Sequence, residues 1–565
     1  MQSFKTFLQK IDKYFFLIII LAAVLRFSGI TLIPPSLNWD EVSHGNNANS
    51  ILTTGKDEWG VPFPVIFRAF GDYKLPVYIY MTAISEKIFG LNTFAVRLPS
   101  ILAGVGTVVA TYFLVFSLYR KRELANLSAL LVTVEPWSLF LSRGAFEANL
   151  ALFFIVSGVY FFVKSFENSK NLIASALLLG LSVWTYNSAR VFVPLLMLSL
   201  VIIYWDEMKT LFKNKKVFVV SVVVTAFFFI PMFIQLLEPI GQARYGKVSI
   251  IDEGAIAAIE EARNTSKLSP TVNRLLNNRV VYFSHAFIVN WASHYSSFFL
   301  FFKGGTNYQF SIPGRGLIYW IDLFPLTVGL LWLVTRRSKA NSFLIAWFLL
   351  SPIPSALTNE APQVLRAIVM LPMPMIVTAI GVYEITKWLS KKFNISIKFL
   401  ISVYIVLIYL FLENYGITYA TTYRTNYSWS WQYGYEQIVD YAKTHYSEYD
   451  KIIVTKKYGE PHEFFLFYWP WNSSDYNSDP NLIRYTQSGW YWVDRFDKFY
   501  FVNDWQIPHD NEIFVLESKK EKVDCRILRC LLITSPGNSP NAWQKLESIN
   551  FLDGQPAFEI FDNQK

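Results

Sequence analysis

Two adjacent acids, Asp40 and Glu41, follow the run Pro34-Pro35-Ser36-Leu37-Asn38-Trp39, just beyond an apolar stretch. A carboxylate there could accept the proton of a hydroxyl nucleophile. Asn38 and Glu41 have capping-box spacing, which predicts a helix start with Asp40 in the first turn. Acids are favoured at helix N-termini on electrostatic grounds alone, so the pair gains weight only from its company. That company is Lys74, in Gly71-Asp72-Tyr73-Lys74-Leu75-Pro76, then Arg143 and Glu147 in Ser142-Arg143-Gly144-Ala145-Phe146-Glu147. Arg190 follows Trp184-Thr185-Tyr186-Asn187, and Arg366 follows Pro362-Gln363. Such cations suit an anionic phosphate. Glu147 falls where an apolar segment begins, a depth at which an ionisable group is expensive and often functional. His294, in Ser293-His294-Tyr295-Ser296, offers a polar contact to sugar or phosphate; packing of an interfacial histidine among tyrosines explains it equally well.

The elements that must position these residues are membrane spans. Of the 565 residues, 53% are hydrophobic and only 16% charged, which excludes disorder, collagen and coiled coil. The apolar residues bunch into eleven stretches, judged against the about 20 residues a crossing needs. They are Tyr14–Ile33, Ala95–Leu118, Leu124–Leu141, Ala145–Val163, Leu172–Tyr186, Val191–Trp205, Val217–Leu237, Leu317–Val334, Phe343–Leu357, Ala367–Trp388 and Ile397–Phe411. With the N-terminus in the cytoplasm, the alternate short segments on the inner side hold 19 Lys and Arg. These include Lys5, Lys10, Lys13, the run Arg120-Lys121-Arg122, and Lys213, Lys215 and Lys216. The opposite short loops hold only Arg143, Arg190 and Arg366. That asymmetry predicts a multi-pass plasma-membrane protein. It also explains the net charge of +9 as sidedness rather than nucleic-acid binding.

The expected organisation is a transmembrane domain over residues 1–415, with outer loops 34–94 and 238–316, and an extracytoplasmic α/β domain over 416–565. In the latter, Tyr433–His445 reads as a helix. Lys451–Thr455, Phe499–Val502, Ile513–Leu516, Leu528–Thr534 and Ala557–Phe561 read as strands. Cys525 and Cys530 are the only cysteines, so a local disulfide is permitted and a Cys-rich metal site is excluded. The six histidines form no His-x-x-x-His pair, so no metal is predicted, although a divalent ion is not excluded. No cofactor is expected, and no Walker-type loop is present.

Together these motifs carry a resemblance. The membrane-edge Asp40-Glu41, the Lys74-x-Pro76-x-Tyr78-x-Tyr80 segment, Ala95-Val96-Arg97-Leu98-Pro99-Ser100 and Ser142-Arg143-x-x-x-Glu147 resemble those of GT-C glycosyltransferases. The likeness is to protein O-mannosyltransferases and aminoarabinose lipid A transferases. Ser293-His294-Tyr295-Ser296 with Phe299 to Gly305 adds to it. It implies a GT-C fold of about eleven transmembrane helices that moves a sugar from a polyprenyl-phosphate-linked donor to a protein, lipid or glycan acceptor on the outer face. It further implies inverting single displacement, with Asp40 as the catalytic carboxylate, Glu41 orienting it or the sugar, and Glu147 as a second acid where the family usually has Asp. Lys74, Arg143, Arg190, His294 and Arg366 become the substrate-binding set. Tyr73 stands where the family has an acid before its lysine, so a metal at that point is in doubt, with Asp72 a shifted substitute. The alternatives are a transporter or flippase of lipid-linked sugars, whose ionisable groups usually lie near the bilayer midplane, or a surface-glycan polymerase or ligase.

Overall fold

The computed structural model describes residues 12–71, 73–518 and 520–564. Lys5, Lys10 and Asp72, used above, lie outside them. The chain divides into two compact units, one of residues 1–28 and 100–416 and the other of residues 29–99 and 417–565.

The first unit is helical. Among the described residues, four helices are long and apolar enough to cross a membrane: Thr93–Tyr119, Glu147–Ser165, Lys215–Leu237 and Ile397–Asn426. A fifth crossing results if the bent pair Asn187–Ile203 and Trp205–Leu211 counts as one. Their length and composition make the chain an integral membrane protein. Helices also occupy the remaining apolar stretches; most are shorter or broken, while Met373–Phe393, 21 residues long, is less apolar and ends in Lys391 and Lys392. The third stretch, for example, is split into Arg122–Val134 and Pro136–Leu141. Proline at the first helical position of the latter explains the break, because its ring disfavours helix in the residue before it. Buried polar groups here bond to backbone, as a medium without water demands. Arg26, fully buried, donates to the carbonyls of Val132 at 3.1 Å and Thr133 at 3.2 Å and to Ser138 Oγ at 3.1 Å. Helices Leu323–Thr335 and Met373–Phe393 approach through glycine: a Cβ on Gly381 would stand 1.8 Å from the Pro325 carbonyl oxygen.

The second unit is built on a seven-stranded mixed sheet. Its strands are β1 Lys451–Thr455, β2 Ile483–Gln487, β3 Trp490–Phe496, β4 Phe499–Val502, β5 Cys530–Thr534, β6 Gln544–Asn550 and β7 Pro556–Asp562. The spatial order is β6-β7-β5-β1-β4-β3-β2. The central strand β1 is parallel to both neighbours, with Ile453 opposite Leu532 and Tyr500. One face of the sheet is sealed by Phe514, Trp543 and the disulfide Cys525–Cys530 against Ile453, Val502 and Leu532. Helices Tyr435–Thr444 and Pro461–Tyr468 pack on the other face, to which Phe499 points by strand alternation, Tyr435 stacking on Phe464 at 3.9 Å and Phe465 lying 4.8 Å from Phe499.

The early segment 29–99 folds onto this sheet region and forms one unit with it. Tyr491 at the start of β3 donates its N–H to the Phe70 carbonyl at 2.9 Å. The Arg68 guanidinium lies 3.6 Å from the Tyr491 ring and 4.2 Å from that of Trp59, and Arg484 of β2 covers Trp59 at 4.3 Å. Planar guanidinium groups interleaved with indole and phenol rings give this seam both apolar area and cation–π attraction.

Candidate active site

The helix Trp39–Thr54 begins as the spacing demands. Asn38 Oδ1 accepts from the Glu41 N–H at 3.0 Å, and Glu41 Oε2 accepts from the Asn38 N–H at 3.1 Å, closing the capping box. Asp40 therefore lies in the first turn, and its neighbours Trp39 and Glu41 are both fastened. The Trp39 N–H donates to Gln432 Oε1 at 2.7 Å. The Trp39 ring lies so close to Gly459 that a Cβ there would come within 2.1 Å of it; Gly459 also has φ +92°, which a side chain would strain.

Asp40 and Glu41 have opposite environments. Glu41 is 1% exposed, and Arg97 grips it through Nε at 2.9 Å and Nη2 at 3.0 Å. The same guanidinium donates to the carbonyls of Ile30 at 2.7 Å, Pro34 at 3.0 Å and Ser36 at 2.5 Å. One buried arginine thus clamps the segment leading into the helix and the helix's own N3 acid. The Asp40 side chain is 47% exposed and meets the Lys74 ammonium at 2.5 Å. Lys74, 7% exposed, is held on the short strand Tyr73–Lys74, which pairs with Phe67–Arg68, and Pro76 starts the next helix. An accessible carboxylate beside a nearly buried ammonium can take up a proton while its orientation stays fixed by a charge-assisted hydrogen bond.

The structure thus brings together Asp40, Glu41 and Lys74, all in the second unit. Glu147, Arg143, Arg190, His294 and Arg366 belong to the first. Glu147 is the first residue of its helix, where its charge meets the positive end of the dipole. Arg143 donates to the carbonyls of Leu25 at 2.5 Å and Ser28 at 2.7 Å, closing the end of helix Lys13–Phe27. Arg190 donates to the Val183 carbonyl at 3.1 Å and to Gln235 Oε1 at 2.5 Å. Arg366 pairs with Glu360 at 2.7 Å and donates to Thr358 Oγ1 at 3.1 Å. All three arginines are nearly buried. His294 is fully buried, its Nδ1 2.7 Å from the Asn290 carbonyl oxygen. Burial pushes its imidazole down to about 4, so the ring is neutral at physiological pH.

Two groups were missed as functional candidates in the sequence. Arg97 is the clamp described above; its signal was a charge inside an apolar run. Glu135 and Asp322 are two buried acids. Glu135 Oε2 accepts from the Tyr319 N–H at 3.0 Å, and Asp322 accepts from the Tyr404 hydroxyl. An acid before proline in Val134-Glu135-Pro136 was the only trace of that pair.

Residues 73–234 match the family described as dolichyl-phosphate-mannose-protein mannosyltransferase. A solved structure of ArnT from Cupriavidus metallidurans, bound to undecaprenyl phosphate, superposes with a TM-score of 0.52 at 10% identity, covering 97% of both chains. The chain has a GT-C glycosyltransferase fold. The resemblance drawn from the motifs is thereby borne out, as is a helical body joined to a C-terminal β-sheet region. The archaeal oligosaccharyltransferase AglB from Archaeoglobus fulgidus superposes with a TM-score of 0.48 at 13% identity, over 80% of this chain and 63% of that one. Among curated proteins, a putative mannosyltransferase, YkcB of Bacillus subtilis, is 29% identical over 97 residues, 17% of this chain. The match spans 13% of the length of that relative.

Proposed function

We propose that this protein transfers a sugar from a polyprenyl-phosphate-linked donor to a protein, lipid or glycan acceptor at the outer face of the plasma membrane. The observation that carries this reading is the contrast between two adjacent acids. Glu41 is consumed by Arg97, while Asp40 keeps an accessible carboxylate paired to Lys74. That is the arrangement of a base supported by a positioning acid. The match of residues 73–234 to a mannosyltransferase family supports the reaction class, and the bound undecaprenyl phosphate of ArnT supports the donor class.

In the reaction, Asp40 accepts the proton of the acceptor hydroxyl. The oxygen attacks the anomeric carbon as the bond from that carbon to the phosphate oxygen breaks, inverting the configuration. The lipid phosphate leaves with its negative charge, which cations must meet. Lys74 orients the base, while Arg143, Arg190, Arg366 and the neutral His294 are the proposed donor contacts and Glu147 the second acid. The eleven-span count, the cytoplasmic N-terminus and the extracytoplasmic C-terminal region belong to the same proposal, supported by the 19 basic residues on one set of short segments.

The test is Asp40→Asn in membranes supplied with defined polyprenyl-phosphate sugars, with products identified by mass. The amide keeps the hydrogen bond from Lys74 but is not a base. Transfer should fall by about 10²–10⁴-fold with unchanged expression. Full activity would refute the assignment. Transbilayer movement of the lipid-linked sugar without glycosidic transfer, in the parent protein, would favour the transporter.

A further inference from the structure

Glu58, His462 and Glu463 lie together in the interior of the unit that carries Asp40. Glu58 comes from the early segment, the other two from helix Pro461–Tyr468. Their exposures are 5%, 5% and 1%, and one ligand atom from each lies within 4.8 Å of the other two. His462 Nε2 is 3.6 Å from Glu58 Oε1, against the about 3.4 Å between two ligands of a tetrahedral zinc ion. The other separations, within 4.8 Å, need to close by up to about 1.4 Å. A cavity of about 10 Å³ adjoins the three, bounded also by Ala69 and Trp492, which is the room of a single small ligand.

A fourth acid supplies an independent observation. Glu460 is 2% exposed, and its Oε2, without a hydrogen-bond partner, stands 3.7 Å from His462 Nδ1. The imidazole thus has one nitrogen towards Glu58 and the other towards Glu460, the arrangement in which an outer carboxylate fixes the tautomer of a metal-bound histidine. Asn46, on the Trp39 helix, donates its amide to the Glu463 carboxylate and, at 2.8 Å, to the Glu463 carbonyl.

The charge balance points the same way. Three buried carboxylates surround one imidazole. Arg484 contributes one nearby positive charge, its Nη2 donating to the Glu58 carbonyl at 2.9 Å. Lys456 is committed to Asp494 at 2.6 Å. Imidazole with carboxylates is a ligand set for zinc, and two carboxylates match its charge.

We propose that Glu58, His462 and Glu463 bind a zinc ion, His462 through Nε2 with Glu460 accepting from Nδ1–H. The ion ties the segment that bears the Trp39 helix to the C-terminal sheet region; Asn46 couples it to the helix that begins at Asp40. The site is separate from the transfer chemistry proposed above and stands whether or not that reading holds.

The test is elemental analysis of the full-length protein, purified in detergent with the affinity tag removed and dialysed against zinc and then zinc-free buffer. About one zinc per chain is expected. Glu463→Gln, which can still bond to Asn46, should retain less than a tenth as much. In the wild-type protein, chelator should lower the melting temperature and zinc should restore it, with neither effect in the variant. A wild-type protein that holds no zinc, or melts identically with and without chelator, overturns the proposal, as does full zinc occupancy in Glu463→Gln. If that variant does not fold, the wild-type arms decide alone.

Discussion

Replacing Arg97 with methionine is the sharpest test of how this chain positions its acid. The methionine fills much of the volume but removes five hydrogen bonds, two to Glu41 and one each to the carbonyls of Ile30, Pro34 and Ser36. Glu41, 1% exposed, is left as a buried charge without its cation. Breaking such a pair from one side costs about 3–5 kcal/mol. For a folding unit of 150–250 residues, the size of that formed by residues 29–99 and 417–565, 1 kcal/mol moves Tm by about 2–4 °C. The expected fall is therefore about 10 °C, read as a thermal melt in detergent. Adding Glu41→Gln to Arg97→Met removes the stranded charge and should recover about half of the loss, although the carbonyls stay unmet. Transfer should remain low in both, since Asp40 has lost its framework. A fall under 3 °C, or a double variant no better than the single, would refute the claim that Glu41 is consumed by Arg97.

Three further outcomes follow from geometry. Gly459→Ala places a methyl group against the Trp39 ring at a positive φ; transfer should fall at least tenfold and stability by more than about 2 kcal/mol, measured by product formation and melting. Glu86 is 4% exposed with both oxygens unpartnered, and burial pushes its carboxyl up to about 9. Its folded-state pKa exceeds the unfolded one, so the folded state keeps a proton that the unfolded state releases, and stability falls as pH rises from about 4.5 towards 9. Glu86→Gln should remove a slope of about 1.4 kcal/mol per pH unit, so its advantage in Tm over the parent should be greater at pH 8 than at pH 5. Deletion of 420–565 should abolish transfer even to a simple acceptor, because it removes Gln432 and Gly459 from Trp39 and the whole sheet from segment 29–99; retained transfer would make that region accessory.

The start of the Trp39 helix was legible because a capping box is local: two side chains three residues apart specify it. Strands β1, β4, β5 and β7 were legible because they are runs of buried apolar residues. Strand β6, Gln-Lys-Leu-Glu-Ser-Ile-Asn, was not, because it is an edge strand with mostly exposed side chains and little hydrophobic signal. Strands β2 and β3 mix Arg, Gln and Asp with aromatics, because segment 29–99 covers them with stacked rings and guanidinium groups. Sequence order concealed that partnership. It also concealed what Arg143, Arg190 and Arg366 bond to: positive charge on the sparse side was visible, but the carbonyls and the Glu360 partner that hold these guanidinium groups depend on how distant segments fold.

The bond from Trp39 to Gln432 spans 393 residues. At about 5–20 residues per second of synthesis, some 20–80 s separate the emergence of the acid-bearing helix from that of its anchor. During that time Trp39, Arg68 and Glu58 lack the C-terminal partners that cover them in the finished unit. The unit that carries Asp40 therefore closes only after the helical body between its two segments has been made. A chain stalled before Gln432 would have its helical body but not the anchored helix that bears the acid, so that activity itself reports synthesis through the sheet region.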